Sequence, residues 1–537
     1  MDATLTMAET ITTDPGNWDV VVVGTGMGGA TIGYSLARQG LRVLFLEKGL
    51  DRFRAADGAD DDPQDSQARL ELGKWPGTVT TIIDGRRSDG LAAMGCGLGG
   101  STQLYAAALE RFERWDFEST PTMPHPNGGW PVRYDEMAPY YEQAEALYRV
   151  RGSRDPLGEK QSPELPRLPA AAAIDGQLMR DFARAGLSPY RMHVGIAYQP
   201  GCSECLGRPC PRACKSDAGQ LCIKPATEAM GASLRTECDV LRLEADAHRV
   251  TGVIYRHRDA LHRVTGRIIV LSAGGYRSAL LLLQSRSEAH PDGLANSSGM
   301  VGRNIMFHCV DWIAAWPSRK AGLAGPRKSV ATRYFLALEG RRGGLLHSVG
   351  LSAGYGNILM FLYEWFDKSA FHWLRPLRPL LRIPARIAAK LFGKATILSI
   401  NVEDLPYPDN RLAIDPDNPD GAIIHYTIHD ELRQRVEATR QAIAAKLSGL
   451  RHFWLGRDLR PNFGHPCGTC RFGDDPETSV LDRTCRTHDV DNLYVVDASF
   501  MPSSAGVNPS LTIAANALRV ADILAARLQA DIMLAAE

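Results

Sequence analysis

The 537-residue chain has no surplus of either charge: 61 Lys and Arg balance 61 Asp and Glu. A neutral protein offers polyanions no long-range attraction, so bulk charge disfavours nucleic acid as a partner. No stretch approaches the roughly 18 uncharged apolar residues that a membrane-spanning helix needs. No Lys or Arg precedes Arg38, and Met1 to Asn17 is polar and mildly acidic, so neither a secretory nor a twin-arginine signal is read there. The expected location is cytoplasmic, where thiols remain free or bind metal. Eleven cysteines are too few for a disulfide scaffold, although five crowd between Cys202 and Cys222. Repeats and low-complexity tracts are also lacking. What the chain does have is 44% hydrophobic residues, enough for a large buried core, and 51 glycines.

The first glycine cluster has a definite context. Asp19-Val-Val-Val-Val23 reads as a strand, Gly24-Thr-Gly26-Met-Gly-Gly29 as a turn, and Ala30 to Gln39 as a helix closed by Gly40. Leu41 to Leu46 reads as a second strand ending on Glu47. Gly24 permits the turn, Gly26 lets backbone approach a pyrophosphate, Gly29 lets helix and strand pack closely, and Glu47 can bind a ribose hydroxyl. The pyrophosphate would sit on the helix N-terminus, where unpaired N–H groups and the dipole favour an anion. This predicts a dinucleotide site without separating NAD from FAD.

A second glycine-rich loop, Met94 to Thr102, includes Gly99, Gly100, Ser101 and Thr102, and its amides suit an anion or a flavin edge. Towards the C-terminus come Gly464-His-Pro-Cys-Gly-Thr-Cys-Arg-Phe-Gly473, the strand Leu493 to Asp497, and Ser504-Ala-Gly-Val-Asn-Pro-Ser-Leu-Thr512. Asn508 reads as an N-cap with Pro509 at the first helical position, and the helix directs its positive end towards its start.

Together these blocks resemble the glucose-methanol-choline (GMC) family of FAD oxidoreductases. The resemblance rests on Gly24 to Gly29 with Glu47, Leu98-Gly-Gly-Ser-Thr102, Ala273-Gly-Gly275 before Leu280 to Leu283, Ser298 to Asn304, His465-x-x-Gly-Thr-x-Arg471, and Val496-Asp497 through Asn508-Pro509, in family order. The chain departs from the pattern at Tyr105, where many members carry Asn; this is more like the bacterial branch of sugar dehydrogenase subunits and aminoglycoside oxidases. The resemblance implies an α/β fold: a Rossmann-like FAD-binding domain over 18–114, 226–304 and 456–530, interleaved with an α+β substrate domain on an antiparallel sheet over 115–225 and 305–455. It further implies oxidation of a small alcohol to a carbonyl, with FAD as hydride acceptor. His465 and Asn508 match the catalytic positions, and Val240, Ala273, Gly274, Asp497 and Pro509 join the FAD contacts. Imidazole, with an ordinary pKa near 6.5, suits the removal of a hydroxyl proton near neutral pH. Non-redox lyase chemistry is an alternative.

Two further segments carry expectations. Cys205-x4-Cys210-x3-Cys214, in the cysteine-rich segment 202–222, is similar to the thiol spacing of bacterial FAD dehydrogenase subunits that pass electrons through an iron-sulfur cluster to a cytochrome. Zinc held by those thiols and Cys202, or plain packing thiols, are the alternatives. The cluster reading implies a redox partner protein. From Lys368 to Ala395 seven basic residues and no acid are interleaved with apolar ones, three of them, Arg382, Arg386 and Lys390, on one helical face. Segment 368–395 suits peripheral contact with an anionic membrane, an acidic partner, a lid, or a solvated edge.

Overall fold

The computed structural model describes residues 11–536 except 54–64, 160–161, 417, 457–458, 460 and, between 352 and 371, positions 352, 353, 356, 357, 360, 361, 364, 365, 367, 368, 370 and 371. The valine-rich strand Trp18–Val23 is buried along its length from Asp19 onward, which identifies it as a central strand covered on both faces. It pairs in parallel with Val43–Leu46 on one side and Gly266–Leu271 on the other; Ser233–Arg235 and Leu493–Val495 extend the sheet to five strands. The turn out of the first strand needs glycine twice. Gly24 has φ +95°, and a Cβ on Gly29 would come within 2.1 Å of the Gly24 carbonyl, so helix Met27–Arg38 can start only this close to the strand without side chains. That helix packs against the long C-terminal helix Ser510–Ala536, which in turn packs against Tyr134–Leu147.

A six-stranded sheet forms the second layer. Its order is His452–Trp454, His308–Ala315, Thr396–Glu403, Gly344–Ser348, Val330–Thr332 and Tyr190–Arg191, with every neighbouring pair antiparallel. Period-two alternation puts His308, Val310 and Trp312 on one face of their strand, and Ser399 and Asn401 on the same face of the next, in the register Val310 to Asn401 and Trp312 to Ser399. The fold is therefore mixed α/β, a parallel Rossmann-like layer beside an antiparallel sheet, as the motifs imply. Among the described residues no helix is long and apolar enough to cross a membrane.

Buried charge joins the segment following the second glycine loop to this sheet. Arg333, just past Val330–Thr332, donates to Glu110 at 2.9 Å and Glu113 at 2.5 Å, and Glu110 also pairs with His193 at 3.0 Å. All three of Arg333, Glu110 and Glu113 are buried. Burial alone would raise the Glu110 carboxyl, but His193 and Arg333 bring it down to about 2. Removing one member strands the others in low dielectric, at about 3–5 kcal/mol. Arg333→Met is expected to lower the melting temperature by several degrees in a thermal scan, whereas Arg133→Met, at an exposed site, leaves it within a degree or so.

Candidate active site

A cavity of about 630 Å3 lies where the parallel strands end, against one face of the antiparallel sheet. Val23, Leu46, Ser272 and Asp497, each at or just beyond the carboxyl end of a parallel strand, line it, which is where open α/β sheets bind ligands. From the other layer come Val310, Trp312, Lys328, His347, Ser399 and Asn401. Of the residues expected at the cofactor, Gly24, Gly26, Glu47, Gly100, Ser101, Thr102 and Val240 line the cavity, as do Ala273, Gly274 and Pro509. His465 and Asn508 line it too, so residues 43 positions apart share one chamber. Gly29 and Gly99 stand behind the wall: Gly29 packs on Gly24, and Gly99 donates its N–H to Thr25 Oγ1 at 3.3 Å.

The buried Glu47 carboxylate is committed to three backbone N–H groups and one hydroxyl. Oε2 accepts from Thr25 N at 3.0 Å and Thr25 Oγ1 at 2.6 Å, while Oε1 accepts from Gly49 N at 2.9 Å and Gly97 N at 3.0 Å. One side chain thus fastens the first glycine turn to the second. Asp497 does the same further along: Oδ2 accepts from Gly274 N at 2.9 Å and Ser278 Oγ at 2.5 Å, and Oδ1 accepts from Ser499 N at 2.9 Å. Between these clamps Gly26 faces open space, a Cβ there meeting nothing within 4 Å. The cradle of backbone N–H groups, the N-terminus of Met27–Arg38 and the bare Gly26 surface suit a dinucleotide pyrophosphate.

The two histidines at the far end form a chain with a defined polarity. His308 Nε2 lies 3.0 Å from the Ala505 carbonyl, which can only accept, so that nitrogen carries a proton. Burial brings His308 down to about 4, and the neutral ring therefore has its lone pair on Nδ1. His465 Nδ1 lies 3.0 Å from it and must be the donor; Asn462 Nδ2 is a longer contact at 3.3 Å. The lone pair of His465 is left on Nε2. Burial first, then the charges of His308, His347 and Lys328, hold His465 well below the usual imidazole range. Sequence reasoning missed His308, His347 and Asn401; the available signal was a polar residue at alternate positions of otherwise apolar strands.

One local expectation needs correction. Ile513 N donates to the Pro509 carbonyl at 3.1 Å, so Pro509 rather than Asn508 is the N-cap of Ser510–Ala536. Asn508 stands one residue outside the helix, and its buried Oδ1 has no hydrogen-bond partner. The amide is released from capping and belongs to the cavity.

Comparison with known proteins agrees with this geometry. Residues 406–517 match the model described as GMC oxidoreductase, and residues 22–73 match a NAD(P)-binding Rossmann-like domain. The chain is 31% identical to 6'''-hydroxyparomomycin C oxidase of Streptomyces lividus, over 96% of its own length and 92% of the relative's. This chain belongs to the GMC oxidoreductase family. It is 28% identical to the fructose dehydrogenase large subunit of Gluconobacter japonicus, across 94% of this chain and 97% of that one. A structure concerned with FAD modification in the formate oxidase of Aspergillus oryzae RIB40 shares the fold at TM-score 0.64 and 15% identity, covering 96% of this chain and 99% of the other.

In this GMC oxidoreductase the cysteine-rich loop adjoins the cavity, and of its thiols Cys214 interacts with Cys202 and Cys210. Among the described residues no group of three His, Cys, Asp or Glu side chains is placed to hold a metal ion, and all eleven cysteines are free thiols. Cys210 and Cys214 approach to 3.3 Å, while Cys205 Sγ has Ser203 Oγ at 3.5 Å. The cation around which the loop winds is Lys215. Its buried Nζ donates to the carbonyls of Gln103 at 2.7 Å, Tyr105 at 3.1 Å, Cys205 at 2.8 Å and Arg208 at 3.0 Å. The Tyr105 hydroxyl donates to the Ser216 carbonyl, a second tie between this loop and the glycine loop. No zinc or iron-sulfur site is gathered among the described residues, and the ammonium draws carbonyls, not sulfurs, towards the centre of the loop. Burial pushes Cys210 up, but backbone N–H groups of Lys215, Arg212 and Cys214 and the Cys214 thiol outweigh it and bring Cys210 down to about 7; burial and Cys210 itself push Cys214 up to about 12. The thiolate is the reactive form. Iodoacetamide at pH 7.5 is therefore expected to alkylate Cys210 before Cys214, as read by peptide mass mapping.

Proposed function

We propose that this GMC oxidoreductase oxidises the CH–OH group of a small alcohol to a carbonyl with FAD, and that the chain divides at the boundaries expected from its motifs into FAD-binding and substrate domains. The observation that carries the reading is the Ala505–His308–His465 chain of contacts, which leaves His465 Nε2 as the free acceptor, in one cavity with the unpartnered Asn508 Oδ1. The backbone cradle between the Glu47 and Asp497 clamps would hold FAD, with Val240 and the acidic clamp at the nucleoside end and Pro509 near the ring. Bound there, FAD supplies the acceptor for the carbinol hydride. His465 Nε2 takes the hydroxyl proton, and Asn508 holds the substrate oxygen through its side-chain amide without adding a charge. The N-terminus of Ser510–Ala536 places its positive end at the cavity. His308 keeps the proton of His465 on Nδ1, away from the substrate.

A second surface supports contact with an anionic lipid headgroup layer. Segments His372–Leu381 and Arg382–Phe392 expose Trp373 at 70% and Ile383 at 62%, with Leu377, Leu380, Ile387 and Leu391 beside them. Arg382, Arg386 and Lys390 run along the same helix, and no acid interrupts 372–395. Large apolar side chains flanked by cations suit a negatively charged interface. Lys368 and Phe371, at the start of the expected stretch, lie outside the described residues. The fructose dehydrogenase relative is named as a subunit, and a redox partner docked at such a membrane is the corresponding electron exit for this chain.

Two measurements check these readings. His465→Ala is expected to retain flavin but to be reduced by an alcohol about 10²–10⁴-fold more slowly in anaerobic stopped-flow; unchanged reduction would sink the assignment. Because His465 titrates well below its usual range, the wild-type rate of reduction by an uncharged alcohol is expected to stay level as pH falls from 7 to 6, declining only in more acid solution. Flotation with vesicles should recover the protein on phosphatidylserine-containing membranes and leave it at the bottom with pure phosphatidylcholine. Ile383→Asp with Ile387→Asp should abolish recovery.

A further inference from the structure

Lys328 lies just before strand Val330–Thr332, on the cavity wall opposite the glycine turns. It is only 1% exposed, and its Nζ has no hydrogen-bond partner. An ammonium offers three donors and no acceptor, so a buried one without acceptors carries a desolvation cost of several kcal/mol. The groups around it supply field but no bond. Glu204 spends Oε1 on the Tyr198 hydroxyl at 2.7 Å and on the backbone N–H groups of Arg327 and Lys328, both at 2.9 Å. Glu110 is held by Arg333 and His193. Lys215, from the cysteine loop, repels it, and its own Nζ is occupied by four carbonyls. On the cavity side its charge reaches His347 and His465. His347 Nε2 is already engaged by Asn401 Nδ2 at 3.1 Å and cannot serve the ammonium.

The chamber therefore contains two unpartnered groups of opposite character: the acceptor Asn508 Oδ1 beside the proposed base, and the donor Lys328 Nζ. We propose that Lys328 binds a carboxylate carried by the substrate, making a small hydroxy acid the substrate class of this enzyme. The inference rests on the alcohol-oxidation reading. A single unpaired cation matches the single charge of a carboxylate, whereas a phosphate dianion would call for further cationic or backbone donors at the same point. A cationic substrate is repelled there. The carboxylate is a spectator: the C–H bond gives its electron pair as hydride to FAD, the O–H proton passes to His465, and the C–OH becomes C=O. Burial, opposed by Glu204 and Glu110, brings Lys328 down to about 8, so the free enzyme presents the cation at pH 7 and loses it as pH rises through that value.

The test uses the flavin-loaded enzyme at pH 7.0 and constant ionic strength. Substrate probes are lactate and glycolate against propane-1,2-diol and ethylene glycol; acetate, which carries no hydroxyl, is the binding probe. The variants are Lys328→Met, which keeps the side-chain length and removes the charge, and Lys328→Arg, which keeps the charge. The ratio of kcat/KM for hydroxy acid to that for diol is expected to fall at least about tenfold in Lys328→Met, chiefly through KM, and to be partly restored in Lys328→Arg. Acetate should raise the wild-type melting temperature at pH 7.0 but not at pH 9.5, and should not raise that of Lys328→Met. An unchanged ratio, or acetate stabilising wild type and Lys328→Met equally, overturns the proposal while leaving alcohol oxidation standing. If no probe reduces the flavin yet acetate stabilises only the charged forms, the carboxylate site holds and the alcohol-oxidation reading fails instead.

Discussion

A single buried carboxylate holds the cofactor side of this enzyme together. Glu47 ends the second parallel strand and accepts four hydrogen bonds, two from Thr25, one from Gly49 and one from Gly97. Backbone that must stay bare to admit a ligand cannot be held by its own side chains, and glycine-rich turns lose more conformational freedom on ordering than other segments. The carboxylate fixes both turns from behind, leaving the Gly26 surface clear. Asp497 repeats the solution at the other end, tying Gly274 to the turn that leads towards the C-terminal helix. The spacing of the glycine turns along the cavity wall depends on these two anions.

The substrate side is organised on different physics. There the wall is an antiparallel sheet whose inward face alternates with its outward one, so polar groups arrive at fixed intervals: His308 on one strand, Ser399 and Asn401 on the next. Burial keeps the imidazoles neutral, and neutrality makes their tautomers matter. A carbonyl at one end of the Ala505–His308–His465 chain dictates which nitrogen is free at the other. Lys328 is the exception in this neutral wall, a cation that feels the charges of Glu204 and Glu110 but has no hydrogen-bonded partner.

How far the sequence could be read depended on whether a feature was local. The strand–turn–helix at Trp18 to Arg38 was legible because burial on both faces writes a continuous valine run, and because the turn requires glycine at Gly24 and Gly29. The position of Asn508 was legible, its role as N-cap was not: the helix begins one residue later, and only the orphaned Oδ1 shows the amide to be free. Cys205, Cys210 and Cys214 have spacing that suits a cluster, but spacing does not say where side chains turn. Lys215, a neighbour in sequence, takes the centre of that loop by drawing carbonyls towards its ammonium.

The sequence by itself determined the family, the parallel layer and the segments that meet at the cofactor, since each is written in a short run whose geometry is set by neighbouring residues. Tertiary structure alone decided which distant groups share the chamber and in what chemical state. His308 reaches His465 across 157 positions, and Lys328 enters the same cavity from the segment before another strand. Protonation, tautomer and the absence of a bonded counter-charge on Lys328 Nζ are properties of burial and of partners brought together by folding, and no local pattern encodes them.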